Sequence, residues 1–286
     1  MPERIHKVVA RAGFGSRRAV ERWIAAGSVR VNGRPAEAGT ALSGGEQVEI
    51  EGRKYRVVEQ PARPARWLRY HKPEGRVTTR DDPENRPTVF HQLPQLGEGR
   101  GRWVSLGRLD VNTTGLMLFT DDGEIANALT HPSAEVEREY AVRVRGQVPP
   151  EEIERLTSGI LLEDGEARFE QIRDVGGQGS NHWYHVVLRE GRRNEVRRLW
   201  EAIGAQVSRL SRVRFGPVTL PRHLRAGRFE DLPPADIRAL QALVPQSAGA
   251  GQLGLEPFQG RRDKGKKTSD KARSTASGSA KRRRRS

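Results

Sequence analysis

The segment GRLDVNTTGLMLFTDDG, residues 107–123, sets a tight polar loop against an unbroken apolar run. Asp110 lies between Gly107-Arg108 and a turn of small residues, Asn112 to Gly115, after which LMLFT (116–120) contains only strand formers. Three readings of its carboxylate compete. In an Asx-turn it accepts hydrogen bonds from backbone amides two residues on. In a calcium loop, Asp110, Asn112, Thr114, Gly115 and Asp121 take positions 1, 3, 5, 6 and 12 of an EF-hand pattern. The calcium reading fails, because LMLFT stands where ligands are needed, position 12 has no glutamate, and no helix leads in from WVSLGRL. The third reading is a carboxylate held for reaction, and the loop by itself leaves it open beside the Asx-turn.

Outward from this loop, residues from Trp67 to about Val244 alternate short strands with a few helices, an α+β domain. Strands are expected at Trp67–His71, Leu116–Thr120, Tyr140–Arg145 and Trp183–Leu188, and helices at Glu124–Leu129, Pro150–Ser158 and Glu195–Ile203. Residues 61–66 form a proline-bearing linker, the α+β domain covers 67–246, and the Gly-, Ser- and Lys-rich stretch 247–286 is expected to be a disordered basic tail. No apolar run approaches the ~20 residues of a membrane span, and MPERIHKVV lacks a signal-peptide core, so a soluble cytoplasmic protein is expected. With no cysteine, disulfides, thiolate metal sites and a cysteine nucleophile are excluded. The histidines show no metal-ligand spacing, so no metal is expected.

The net charge of +15 over 286 residues implies a polyanionic partner, and it is unevenly placed. Residues 1–36 carry eight Lys/Arg against two acids, and residues 261–286 carry twelve against two, which leaves the long middle near neutral. Residues 1–60 read as a separate basic unit. Ile5, Val8, Val9 and Ala12 make one helical stripe ended by Gly13, and Ser16 caps a second stripe of Val20, Trp23 and Ile24 that Gly27 closes. A hairpin then turns at Asn32-Gly33. Arg4, Lys7, Arg11, Arg17, Arg18 and Arg22 decorate the polar sides with few interspersed acids, so they are the expected RNA contacts.

RIHKVVARAGFGSRRAVERWIAAGSVRVNG resembles the RNA-binding module named after ribosomal small-subunit protein four. The loop at 107–123 resembles the signature of the pseudouridine synthases, and three further segments agree: HKPEG (71–75), EREYAVRV (137–144) and GRRNEVRRLWEAIG (191–204). Their order is that of the subfamily acting on ribosomal RNA. The resemblance implies a mixed, largely antiparallel sheet and an enzyme that detaches a uracil from its ribose, turns it and reattaches it through carbon 5, without metal or cofactor. It implies that Asp110 forms a covalent adduct. The expected partner is ribosomal RNA, foremost that of the large subunit, met by a monomer. Small-subunit or transfer RNA, or a non-catalytic assembly factor, are the alternatives.

Three further residues acquire roles in this way. In the helix 195–203, Val196, Leu199, Trp200 and Ile203 form the buried stripe, with Asn194 as cap; Arg198 lies roughly 150° away and Arg197 roughly 110°, at the edge, where it can reach a cleft. The family alignment selects the same Arg197 as the cation beside Asp110. Tyr140 shares a strand face with Val142 and Val144, which alone marks a core residue; the resemblance makes it the aromatic that stacks on the target base. Arg108 either holds the turn or grips the extruded nucleotide, and Lys72 either shapes the turn or touches substrate.

Overall fold

The computed structural model describes residues 1–61, 63–97, 100–244 and 252–258. The N-terminal unit begins with α1 (Ile5–Arg11) and α2 (Arg17–Ala25). Gly13, at φ +94°, takes the left-handed turn that ends α1, and the Ser16 hydroxyl accepts the Ala19 amide at 3.0 Å to open α2. β1 (Val29–Val31) then reverses through Asn32 and Gly33, both at positive φ, the geometry of a two-residue hairpin turn. β2 (Gln47–Ile50) and β3 (Arg53–Gln60) extend the sheet. Ile5, Val8, Val9, Val20, Ile24, Val29, Val48 and Val57 close over one core.

The second unit is built on a nine-stranded sheet, as far as the described residues go. Its main strands are β4 (Trp67–Lys72), β5 (Thr114–Thr120), β6 (Arg138–Arg145), β7 (Gln171–Gln178), β8 (Asn181–Leu188), β9 (Val207–Phe215) and β10 (Phe229–Asp231). They lie in the order β7-β8-β6-β9-β5-β4-β10, antiparallel except where β9 meets β5. The sheet is mixed and largely antiparallel, as expected. The four expected strands and three expected helices are all present, with ends shifted by at most two residues.

The LMLF run is apolar throughout because β5 is covered twice. Met117 and Phe119 face one core with α4 (Pro150–Ser158) and α5 (Glu195–Ala202); Leu116 and Leu118 face another with α3 (Gly123–Thr130) and α6 (Pro234–Gln241). β6 differs: Tyr140, Val142 and Val144 enter the first core, while Glu139, Ala141 and Arg143 alternate onto the opposite face.

One expected boundary is corrected. Residues 247–286 were expected to be a disordered tail, yet Gln252–Pro257 forms β11, antiparallel to β3 on the edge of the N-terminal sheet. Leu253 enters the N-terminal core, its amide donates to Glu3 Oε1 at 2.8 Å, and its carbonyl accepts from Arg11 Nη1 at 2.9 Å. Alternating leucines in QLGLEP supply the buried face, but six residues amid Gly and Ser carry too little periodicity to stand out. The basic run expected beyond residue 258 lies outside the described residues.

Candidate active site

The loop that carries Asp110 is held by its backbone. Thr78 Oγ1 donates to the Leu109 carbonyl at 2.8 Å, and the Thr113 amide donates to the Asp110 carbonyl at 3.0 Å. The Gly75 amide donates to Val111 O at 2.9 Å, Arg197 Nη2 to Asn112 O at 3.1 Å, and Lys72 Nζ to Thr113 O at 2.8 Å. Five consecutive carbonyls are therefore occupied. Among the described residues the Asp110 carboxylate makes no hydrogen bond or ion pair, so the Asn112 amide does not close an Asx-turn on it; the turn is made instead by the Thr113 amide on the main-chain oxygen. A rigid backbone that offers a free anion is preorganised rather than merely exposed.

Lys72 is fully buried at the end of β4 and also donates to Pro73 O and Val111 O. These bonds are those of its turn-shaping reading. Burial draws its pKa down to about 8, opposed by the negative charges of Asp110 and Glu74.

Beside the loop runs a cross-strand row. Tyr140 on β6 pairs with Arg212 on β9, and Arg212 pairs with Gly115 on β5. A Cβ at Gly115, whose φ is +107°, would stand 2.2 Å from the Arg212 carbonyl, so only glycine lets β5 and β9 approach here. Arg212 is 2 % exposed; its Nε donates to Leu116 O at 2.8 Å, while Nη2 has no partner. Burial lowers its pKa, and the adjoining Tyr140 hydroxyl works against that shift.

Asp110, Tyr140 and Arg212 line one cavity of about 930 Å³, together with Arg108, Thr113, Arg138 and Glu195. That volume lies within the range that holds a nucleotide-sized ligand. The site thus combines a free carboxylate, an aromatic wall and a desolvated guanidinium with a spare donor. Arg108 is exposed at the rim without a hydrogen bond among the described residues, so the structure lends nothing to its turn-holding reading.

Arg197 is placed differently from its expected role. Besides Asn112 O it donates to Val207 O at 3.1 Å, and it lines a separate cleft with Asp164, Arg193 and Arg198. It is tied to the loop two residues past Asp110, while the cations lining Asp110's cavity include Arg108, Arg138 and Arg212, and the sequence reading missed the buried Arg212. The available signal was an arginine sharing strand parity with Leu210 in LSRVRFG, at a position meant for core. Arg198 faces away, paired to both oxygens of Asp164 at 2.8 and 2.9 Å. Asn194 stands at the start of α5 with φ 52° but gives no side-chain cap; Glu195 Oε2 reaches back to accept the Arg192 amide at 3.0 Å.

The N-terminal cations divide into two groups. Arg11 is clamped to Glu3 at 2.6 Å, Lys7 reaches Glu124 on α3 at 3.0 Å, and Arg17 approaches the same carboxylate at 3.8 Å. Arg4 donates to Gly39 O at 3.0 Å. These four already have partners within the chain. Arg18 and Arg22 are exposed and have none among the described residues. No cluster of metal-ligating side chains occurs among the described residues, and no helix there is long and apolar enough to cross a membrane.

Residues 66–202 match the family model described as RNA pseudouridylate synthase, and residues 3–48 match the S4 domain. The chain is 51 % identical over 274 residues to ribosomal large subunit pseudouridine synthase B of Xanthomonas campestris pv. campestris, covering 94 % of this chain but 55 % of that protein. It is 53 % identical over 247 residues to the protein of the same name from Escherichia coli O6:H1, covering 85 % of this chain and 84 % of the relative. The chain thus spans about half the length of the Xanthomonas relative and most of the Escherichia one. A solved pseudouridylate synthase shares 26 % identity at a TM-score of 0.57, covering 83 % of this chain and 99 % of the other. With the free aspartate, the tyrosine and the S4-type unit all in family order, the chain belongs to the pseudouridine synthase family.

Proposed function

We propose that this protein isomerises a uridine of ribosomal RNA, foremost large-subunit RNA, to pseudouridine, acting as a cytoplasmic monomer. The relatives' printed names and the S4 unit support the substrate class. The observation that carries the chemistry is the unpartnered Asp110 carboxylate on a fully bonded loop, beside Tyr140 and Arg212. Asp110 is the nucleophile and forms a covalent adduct with the extruded nucleotide. The bond from uracil N1 to the ribose breaks, the base turns, a bond from C5 to the ribose forms, and the C5 proton leaves as N1 gains one. No atom is gained or lost overall.

Tyr140 stacks on the base and lies where the C5 proton departs. Arg212 supplies its spare Nη2 donor to the anion that develops, a preorganised contact in a dry setting. Arg197 and Lys72 position the loop through its carbonyls. Arg108, at the rim, grips the displaced nucleotide's phosphate. The test is Asp110→Asn with an RNA carrying tritium at uridine C5. Tritium release should vanish while RNA affinity holds; release at the wild-type rate would remove Asp110 from the chemistry.

A further inference from the structure

α3 and α6 cover β4, β5 and the end of β9 on one sheet face, and among the described residues Arg145 and Arg209 on the rest of that face are exposed, with Arg143 and Trp183 half-buried. On β6 that face carries Ala141, Arg143 and Arg145, the residues that alternate with the core positions Val142 and Val144. Cross-strand registry sets Arg143 between Arg209 of β9 and Trp183 of β8. The row ends at Gly176 of β7, which puts no side chain beside the indole. Arg143 stands 5.9 Å from the Trp183 ring centroid, and its Nε donates to Ser208 Oγ at 2.9 Å.

The charges in this row are not balanced. Two arginines directly opposite each other on a sheet destabilise it unless something neutralises them. Glu139 is engaged by His185 at 2.7 Å and Arg214 at 2.8 Å, and Asp174 by His182 at 2.6 Å. Among the described residues Arg143, Arg145 and Arg209 have no carboxylate partner. A half-buried tryptophan next to a row of arginines without carboxylate partners is the chemistry of a stacking platform for unpaired nucleic acid. Its location suits the reaction. Arg209 lies three residues before Arg212 on the same strand, about 10 Å away, and points to the face opposite the cavity.

The geometry points to this part of the face as a second RNA surface, which holds unpaired nucleotides flanking the target, one base on Trp183 and phosphates on Arg143, Arg145 and Arg209. The proposal rests on the RNA-modifying reading above, and its test is read by binding so that the two fail separately. Two RNAs are compared, a hairpin holding the target uridine and the same hairpin with about ten unpaired nucleotides on each side. In R143Q/R209Q, Kd for the flanked RNA should rise about tenfold and the salt slope should fall by about 1.4, for two lost phosphate contacts to a single strand. Trp183→Leu should weaken the same RNA five- to tenfold, by the loss of about 1 kcal/mol or more of stacking, with the salt slope unchanged. Neither should alter the hairpin's Kd, the melting transition, or the single-turnover rate at saturating RNA. Equal losses on both RNAs, or no loss on the flanked one, would overturn the surface. Flank-dependent binding without tritium release in the unmutated protein would leave the surface standing and remove the enzymatic reading instead.

Discussion

The N-terminal unit and the Asp110 cavity are both rich in charge, and they use it in opposite ways. In the N-terminal unit Arg11, Lys7 and Arg17 spend their charge on Glu3 and Glu124 of the same chain. Around Asp110 it is the backbone that is consumed, five carbonyls in succession, while the carboxylate and the Arg212 Nη2 remain open. The difference teaches that a charge count names a partner class without saying which charges meet it. A cation answered by its own chain holds the fold, and a desolvated charge left unanswered is held for something else.

The comparison breaks most visibly at Asp110. Asp110→Asn keeps the loop's five carbonyl bonds, so the fold and RNA affinity should stay within twofold while the single-turnover rate falls by at least about 10³. Arg212→Gln comes next. Losing the buried cation should cost about 10² to 10³ in rate at saturating RNA, as for other preorganised donors, and rate measurement across RNA concentrations separates this from weaker binding. If Arg197→Gln instead gave the larger rate loss with Arg212→Gln near wild type, the cation's assignment would revert to α5.

Lys72 yields a pH signature. Its pKa in the fold, about 8, lies below the ordinary 10.5, so between those values the unfolded chain keeps a proton that the native lysine has lost. Fold stability from this group therefore rises with pH across that window. Catalysis should move the other way, because a neutral amine holds the Val111 and Thr113 carbonyls of the loop less well. A falling limb in single-turnover rate near pH 8 that Lys72→Arg removes would establish it; an unchanged limb would assign the titration elsewhere.

Smaller effects sharpen the contrast within the N-terminal unit. Arg11→Ala should destabilise the protein by about 1–3 kcal/mol in denaturant melts, because Glu3 and the Leu253 carbonyl lose a charged donor together. Arg18→Ala should leave the melt unchanged and weaken RNA binding a few-fold. Equal melting losses from the two would erase the distinction between partnered and free cations.

Much of this was readable before the structure. The strand at 114–120 and the helix at 150–158 announced themselves through sustained apolar patterns and a proline start, and Ser16 and Asn32-Gly33 have one obvious local use each. Asp110 and Tyr140 carried the family's motif and share the cavity. Arg212 stayed hidden because burial of an arginine depends on strands distant in sequence, Tyr140 on one side and Gly115 on the other. Arg197 was read correctly as an edge residue, but helical angle alone does not say that the nearest acceptors are carbonyls of a loop 85 residues away. Lys7, Arg11 and Arg17 looked free for the same reason: Glu124 and Leu253 become their neighbours only once the chain has folded.

The strand at 252–257 also has a consequence in time. Glu3 and Leu253 are 250 residues apart in sequence, and a ribosome adding 5–20 residues per second separates their appearance by roughly 12 to 50 s. Throughout that interval β3 presents an unpaired edge and the first core lacks a wall. A nascent chain halted at residue 251 should therefore be cut by protease within residues 1–60, and protection there would contradict this order. The unit proposed to grip RNA is completed only after the unit that carries the Asp110 cavity has left the ribosome.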